Sequence, residues 1–266
     1  MKKILVLGST GMLGQMVFKV LSQEKKWEAV EAKNFKVGES IDALEEYEYI
    51  VNCIGILTPM SNIEQAIRVN AVLPHELART TKGNVLHMST NGVFSGKGGP
   101  YNEGASHDCA DVYGRTKSLG EVNANHVLNI RTSIIGPSPI KKRGLFEWFR
   151  GQPDNATIQG YTNHYWNGVT TLQFAELCRY IISGNHFGAL RREGPALHFA
   201  PNQTVTKYEL LTLFQKLLQK RITIQPTEDP RGARAQLLAC TSKILPSFSP
   251  YAIPMERAIT DLLPYC

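Results

Sequence analysis

A chain of 266 residues is long enough for one α/β core with an attached lobe, and its 42% hydrophobic and 20% charged residues exclude a disordered protein. The formal net charge of +6 is scattered, its densest run being Lys141-Lys142-Arg143, and a small anionic ligand explains it at least as well as nucleic acid. Five widely spaced cysteines with no Cys-x-x-Cys pair read as free thiols rather than a metal site, no apolar run approaches the roughly 20 residues of a membrane span, and Gly8 ends the first apolar run too early for a signal peptide; a cytoplasmic protein without metal or membrane contact is expected.

In chain order, residues 3–7 read as a short buried strand, followed by a glycine-rich turn and a helix over 12–21. Its Leu13, Val17, Val20 and Leu21 share a face opposite Gln15 and Lys19. Strands follow at 27–31 and 49–54, a helix at 63–80, a strand at 84–89, a helix at 112–124 and a strand at 127–133. Strands alternating with helices and lacking hairpin signals predict right-handed crossovers and a doubly wound parallel sheet of the Rossmann type. After Gly136 the pattern loosens through Pro137, Pro139 and Pro153 into an aromatic stretch from Tyr161 to Trp166. A dinucleotide-binding domain over 1–136, with 170–200 returning to it, and a small substrate lobe from 137–169 and 201–266 are the expected organisation. A short helix at 145–149, helices at 171–183, 208–219 and 254–263, and strands at 196–200 and 221–225 complete the reading.

Three elements carry chemistry. Gly8-Ser9-Thr10-Gly11-Met12-Leu13-Gly14 is a G-x-x-G-x-x-G turn between strand and helix, where glycines let the backbone approach a pyrophosphate that the helix amino end attracts. Tyr113 and Lys117 lie four apart on one helix face, so an ammonium there lowers a phenol's pKa and helps it donate a proton to a forming alkoxide. That spacing alone has little specificity: with ten tyrosines and 29 Lys plus Arg, about one is expected by chance. Thr90, or second Ser89, ends a strand about two dozen residues earlier, at the sheet edge where a hydroxyl can hydrogen-bond a substrate carbonyl. Both hydroxyls also suit simple loop capping.

Together these elements resemble the extended short-chain dehydrogenase/reductase superfamily, and most closely the dTDP-4-dehydrorhamnose reductases and related sugar-nucleotide reductases. Val51-Asn52-Cys53-Ile54-Gly55, Arg68-Val69-Asn70-Ala71, Ser89-Thr90 with Val93-Phe94, and Arg131-Thr132-Ser133 extend the likeness over most of the chain. The resemblance implies a Thr90, Tyr113 and Lys117 catalytic set. It also implies a cofactor on the glycine turn, beside Asn52, Cys53, Ile54 and Gly55, with Asn70 nearby. A nucleotide-sugar substrate, a place in polysaccharide biosynthesis and the option of a homodimer follow from the same likeness. Two departures stand out: Asn91-Gly92 replaces the Asp-Tyr usual after the Ser-Thr pair, and the Asp-Glu pair of sugar-nucleotide dehydratases is absent.

The implied reaction is NADPH-dependent reduction of a keto group, expected at C4, of a nucleotide-activated deoxysugar. NADP is expected over NAD because Lys33, with Lys36 nearby, follows the second strand, although Glu31 there is a competing ribose ligand. Lys141, Lys142 and Arg143 are expected to bind the substrate's diphosphate, with Asn91 and Trp166 as further substrate contacts. Trp148, Tyr161, Tyr165 and Trp166 suit a ligand wall and a lobe core equally. Two alternatives stay open: a cofactor-binding regulatory subunit, since the regulatory subunit of methionine adenosyltransferase resembles this family, and a sugar-nucleotide epimerase.

Overall fold

Apolar strands buried on both faces set the architecture. In this computed structural model, residues 1–32, 44–57, 62–138, 140, 142–248 and 252–266 are described. The chain runs through β1 (Lys2–Leu7), α1 (Met12–Leu21), β2 (Trp27–Ala32), β3 (Tyr49–Asn52), α2 (Ile63–Ala66), a π-helical segment (Ile67–Val72), α3 (Leu73–Thr80), β4 (Asn84–Met88), α4 (Val112–Leu119) and β5 (Val127–Arg131). It continues with β6 (Ile134–Ile135), α5 (Leu145–Arg150), β7 (Thr157–Tyr161), β8 (Tyr165–Trp166), β9 (Val169–Thr170), α6 (Thr171–Ser183), α7 (Phe187–Glu193), β10 (Ala196–His198), β11 (Val205–Thr206), α8 (Lys207–Leu218), β12 (Thr223–Thr227) and α9 (Met255–Leu262).

The central sheet has the order β2-β1-β3-β4-β5-β10, every pair parallel. Successive strands move outward in opposite directions from β1 and β3, so the carboxyl ends of those two strands flank the topological switch point where such sheets bind ligands. The α1 residues Met16, Val17, Val20 and Leu21 pack with Phe174, Ile181 and Ile182 of α6 in one buried cluster over the sheet. Burying each such side chain contributes about 1.5–3 kcal/mol. Leu5, Leu7, Ile50, Leu73 and Leu77 form the core on the other face.

A separate core of Phe146, Phe149, Leu211, Phe214, Met255 and Ile259 holds α5, α8 and α9 together. Three separate two-stranded pieces, β6 with β9, β7 with β12 and β8 with β11, accompany it. β12 overlaps the strand expected at 221–225; β7, α7 and the two-residue strands β6, β8, β9 and β11 were not expected, the last four because two residues leave no alternation to read.

Two helices depart from expectation. The 63–80 helix contains the π-helical segment, which places buried Asn70 so that its Oδ1 accepts from Ile56 N at 3.0 Å and its Nδ2 donates to Ile56 O at 2.9 Å and Thr116 Oγ1 at 3.1 Å. Helix α4 stops at Leu119, five residues short of the expected end, where Gly120 caps it; a Cβ at Gly120 would run into the Asn70 carbonyl oxygen. Among the described residues, no helix is long and apolar enough to cross a membrane.

Candidate active site at the carboxyl edge of the sheet

β1 ends at Leu7, and Gly8 follows at φ +79°, a left-handed backbone that favours glycine. A Cβ at Gly8 would press on Ile54 and Cys53 at 3.1–3.2 Å, and one at Gly14 would run into the Gly8 carbonyl oxygen. The turn is therefore bare backbone, packed between β1, α1 and the loop after β3. Gly11 starts α1 with no side-chain cap, and the buried Ser9 hydroxyl has no hydrogen-bond partner among the described residues. An uncapped helix amino end, an orphan hydroxyl and a glycine cradle together fit the pyrophosphate of a dinucleotide. Thr10 lies exposed beside them, while Leu13 is core.

The opposite wall is the loop after β3. Asn52 is fully buried, its Oδ1 accepting from Ile54 N at 3.1 Å, while Gly55 is exposed and Cys53 half-buried. Burial pushes the Cys53 thiol up to about 12, so it is a neutral packing group rather than an acid or base.

Beyond β4, Thr90 Oγ1 accepts from Gly92 N at 3.0 Å, and a Cβ on Gly92 would meet both Thr90 Oγ1 at 3.2 Å and the Tyr113 ring at 3.4 Å, so threonine and phenol flank the same glycine. Tyr113 sits half-buried in the first turn of α4, which Asp111 caps by accepting from Gly114 N at 2.8 Å. Burial pushes the phenol above its ordinary value and outweighs the neighbouring Thr90 hydroxyl, which draws it down, so Tyr113 keeps its proton at neutral pH. Lys117, one turn along, is buried and donates from Nζ to Met88 O at 2.6 Å. Its charge is directed at the sheet rather than at the phenol, and burial lowers its pKa to about 8.

The two expected hydroxyls separate. Ser89 donates to Glu121 Oε1 at 2.6 Å, inside a buried network in which Arg131 holds Glu121 through Nε at 2.8 Å and Nη2 at 2.7 Å. Burial alone would raise the Glu121 carboxyl, but the Arg131 contacts and Ser89 hold it below the ordinary carboxylate range. Thr90 meets Tyr113; Ser89 anchors the end of β4.

The other expected contacts are distributed as follows. Asn91 Nδ2 donates to Gln236 O at 2.9 Å and Trp166 Nε1 to Ser133 Oγ at 2.8 Å, so both polar tips already have partners at the junction with the lobe. Lys33 and Lys141 lie outside the described residues. Lys142 and Arg143 are exposed, and a Cβ on neighbouring Gly144 would collide with the Met12 side chain; the basic run thus borders the amino end of α1.

Sequence reasoning missed a charged cluster in the lobe. The buried Asp229 carboxylate accepts from Arg231 Nε and Nη2, each at 2.9 Å, and pairs with His164 Nε2 at 2.9 Å. Lys207 lies 5.4 Å from the centre of the Tyr161 ring, and its pKa is lowered by burial and by Arg234. Among the described residues neither Lys207 nor Arg234 forms an ion pair. Arg234 lies two residues before Gln236, the partner of Asn91. The density of charge in Asp229-Pro230-Arg231-Gly232-Ala233-Arg234 was the available signal.

Sheet order, glycine turn at the switch point, and Tyr113 against Thr90 define a Rossmann-type protein built like the dehydrogenases and reductases. The family model described as the RmlD substrate binding domain matches residues 1–236, and the chain belongs to that family. It is 26% identical over 98% of its length to methionine adenosyltransferase 2 subunit beta of Danio rerio, covering 90% of that protein. Among solved structures it resembles a dTDP-4-dehydrorhamnose reductase of Clostridium acetobutylicum, with TM-score 0.78, 16% identity and 99% of each chain covered. It is similarly close to the dTDP-4-dehydrorhamnose reductase of Bacillus anthracis in complex with NADP, with TM-score 0.79, 15% identity and 100% of each chain covered. At such identities the structural likeness establishes the fold.

Proposed function

We propose that this protein reduces a keto group, at C4, of a nucleotide-activated deoxysugar with NADPH. The observation that carries the reading is the pairing of a protonated, half-buried Tyr113 with Thr90 at the carboxyl edge of the sheet, beside a glycine cradle fit for a pyrophosphate. Bound at that cradle, the nicotinamide would supply a hydride. Thr90 and Tyr113 receive the substrate carbonyl oxygen, and Tyr113 donates its proton as negative charge develops there. The backbone of Gly8–Gly14 holds the pyrophosphate. Asn52, Cys53, Ile54 and Gly55 wall the nicotinamide, and Asn70 fixes that wall through Ile56. Lys117 would hold the ribose hydroxyls. Lys142 and Arg143, with Lys207 and Arg234 across the lobe, provide positive charge for the diphosphates of cofactor and substrate.

Tyr113→Phe tests the proposal, since it removes the proton and keeps the ring. It should lower kcat by roughly 10²–10⁴-fold while leaving NADPH affinity within a few-fold of wild type. Retention of more than about a tenth of kcat under chemistry-limited conditions would assign the proton to another group.

A second reading, a cofactor-binding subunit of another enzyme, draws support from the likeness to methionine adenosyltransferase 2 subunit beta and from Asn91, whose amide is already engaged by Gln236. NADPH binding without turnover on any keto sugar would favour it.

A further inference from the structure

Three side chains from three elements stand in file beneath the site: Asn52 at the end of β3, His87 in β4 and Lys117 in α4. All are buried, at 0%, 1% and 2% exposure. The direction of each hydrogen bond follows from the one before. Ile54 N–H donates to Asn52 Oδ1, which turns the Asn52 amide nitrogen towards His87 Nδ1 at 3.1 Å. An imidazole nitrogen that accepts carries no proton, so the single proton of the neutral ring sits on Nε2. That Nε2 lies 3.4 Å from Lys117 Nζ, which also donates to Met88 O at 2.6 Å.

An ammonium offers donors only, so Nε2–H against Lys117 in its charged form sets donor against donor. An uncharged amine resolves the conflict. Its lone pair accepts from His87 while one of its own hydrogens goes to Met88. We propose that His87, in the tautomer set by Asn52, is a positioning residue that disfavours the charged form of Lys117 in the free protein, so that binding of an anionic dinucleotide draws a proton from solvent onto Lys117 Nζ.

The proposal rests on the dinucleotide reading above. The proton adds to the amine lone pair, and no other bond forms or breaks. Burial acts in the same direction on both groups, lowering Lys117 to about 8 and His87 well below its ordinary value. The other titratable groups facing the pair are Glu121, which favours the ammonium, the neutral Cys53 thiol, and His75, which helps keep His87 uncharged. Phosphate charge near Lys117 reverses the balance by stabilising the ammonium.

Three measurements test it. Proton–nitrogen correlation spectra of histidine-labelled wild type should show His87 as the Nε2–H tautomer; an Nδ1–H tautomer would overturn the proposal without any variant. The Lys117 Cε resonance, assigned by its loss in Lys117→Arg, should titrate near 8 in the free protein. In His87→Gln, whose side-chain carbonyl can accept from Lys117, the midpoint should rise by about one unit or more. A wild-type midpoint near 10.4, or one unmoved in His87→Gln, would contradict the assigned role. Calorimetry with NADPH at about pH 8.5, in buffers of different ionisation enthalpy, should show proton uptake of more than about half a proton in wild type and less in His87→Gln. Binding without uptake would refute the coupling. Failure of NADPH to bind would remove the dinucleotide reading and the coupling with it, while the tautomer and titration in the free protein still decide what His87 does to Lys117.

Discussion

Ser89 and Thr90 are adjacent hydroxyls with opposite surroundings. Thr90 lies beside Tyr113 and its hydroxyl caps the turn at Gly92, so Thr90→Val should reduce kcat and cost no more stability than a lost cap, about 0.5–2 kcal/mol. Ser89 donates to a buried carboxylate, and hydrogen bonds to charged groups are worth about 1.5–3 kcal/mol, so Ser89→Ala should lower stability by that order while kcat changes little. Urea unfolding and steady-state kinetics on the two variants check this; a larger kcat loss in Ser89→Ala than in Thr90→Val would exchange their roles. The placement of Tyr113 and Lys117 on one helix and of Thr90 just past a strand end was legible because a four-residue spacing and a strand pattern are both local signals. The role of Ser89 was not legible, since its partner Glu121 lies 32 residues away and is held in turn by Arg131 on β5. The tautomer of His87 is likewise a product of packing, invisible in a strand that reads only as apolar.

At the scale of elements, the parallel sheet was readable because β1, β3 and β5 are continuous buried runs bounded by glycine turns and helices. Helix ends were less so. The end of α4 is capped by Gly120, a glycine because the Asn70 carbonyl of the neighbouring π-helical segment approaches too closely for a side chain. Strand β2 extends one residue past its expected end, to Ala32, so Glu31 is its penultimate residue and Lys33 follows directly, outside the described residues. A 2′-phosphate needs positive charge at that strand end, whereas an acid there selects the ribose 2′-hydroxyl. We expect kcat/KM with NADPH to exceed that with NADH, and Lys33→Ala to narrow the difference. Equal or better use of NADH by wild type would give the ribose to Glu31.

For the whole molecule, two buried histidines are held neutral. His198 is fully buried; burial, outweighing the pull of Glu103, lowers it to about 4, and burial holds His87 well below its ordinary value. Unfolded histidine binds a proton near pH 6.5, the native rings do not, so as pH falls from about 6.5 towards 4 the unfolded chain gains protons that the native state refuses, and stability falls. The Glu121 carboxylate, held low by Arg131, adds a loss in the same direction at lower pH. The urea midpoint should therefore be lower at about pH 5 than at about pH 7.5, and an unchanged midpoint would mean that these rings protonate without cost in the native state. The lobe was the least legible region: its core is assembled from α5, α8 and α9, which lie more than a hundred residues apart at the extremes. That assembly brings Lys207 and Arg234 towards the same end of the sheet as Asn91.

The claim that ties these scales together is reduction of a sugar nucleotide. Its most direct measurement is NADPH consumption by the purified protein with a panel of UDP-, dTDP- and GDP-linked 4-keto-6-deoxysugars, and with the corresponding free sugars as controls. Oxidation of NADPH matched by the appearance of the 4-hydroxy sugar, on at least one nucleotide-linked substrate and not on its free sugar, is the predicted result. Absence of consumption across the panel with NADPH binding intact, or equal rates on the free sugars, would contradict it.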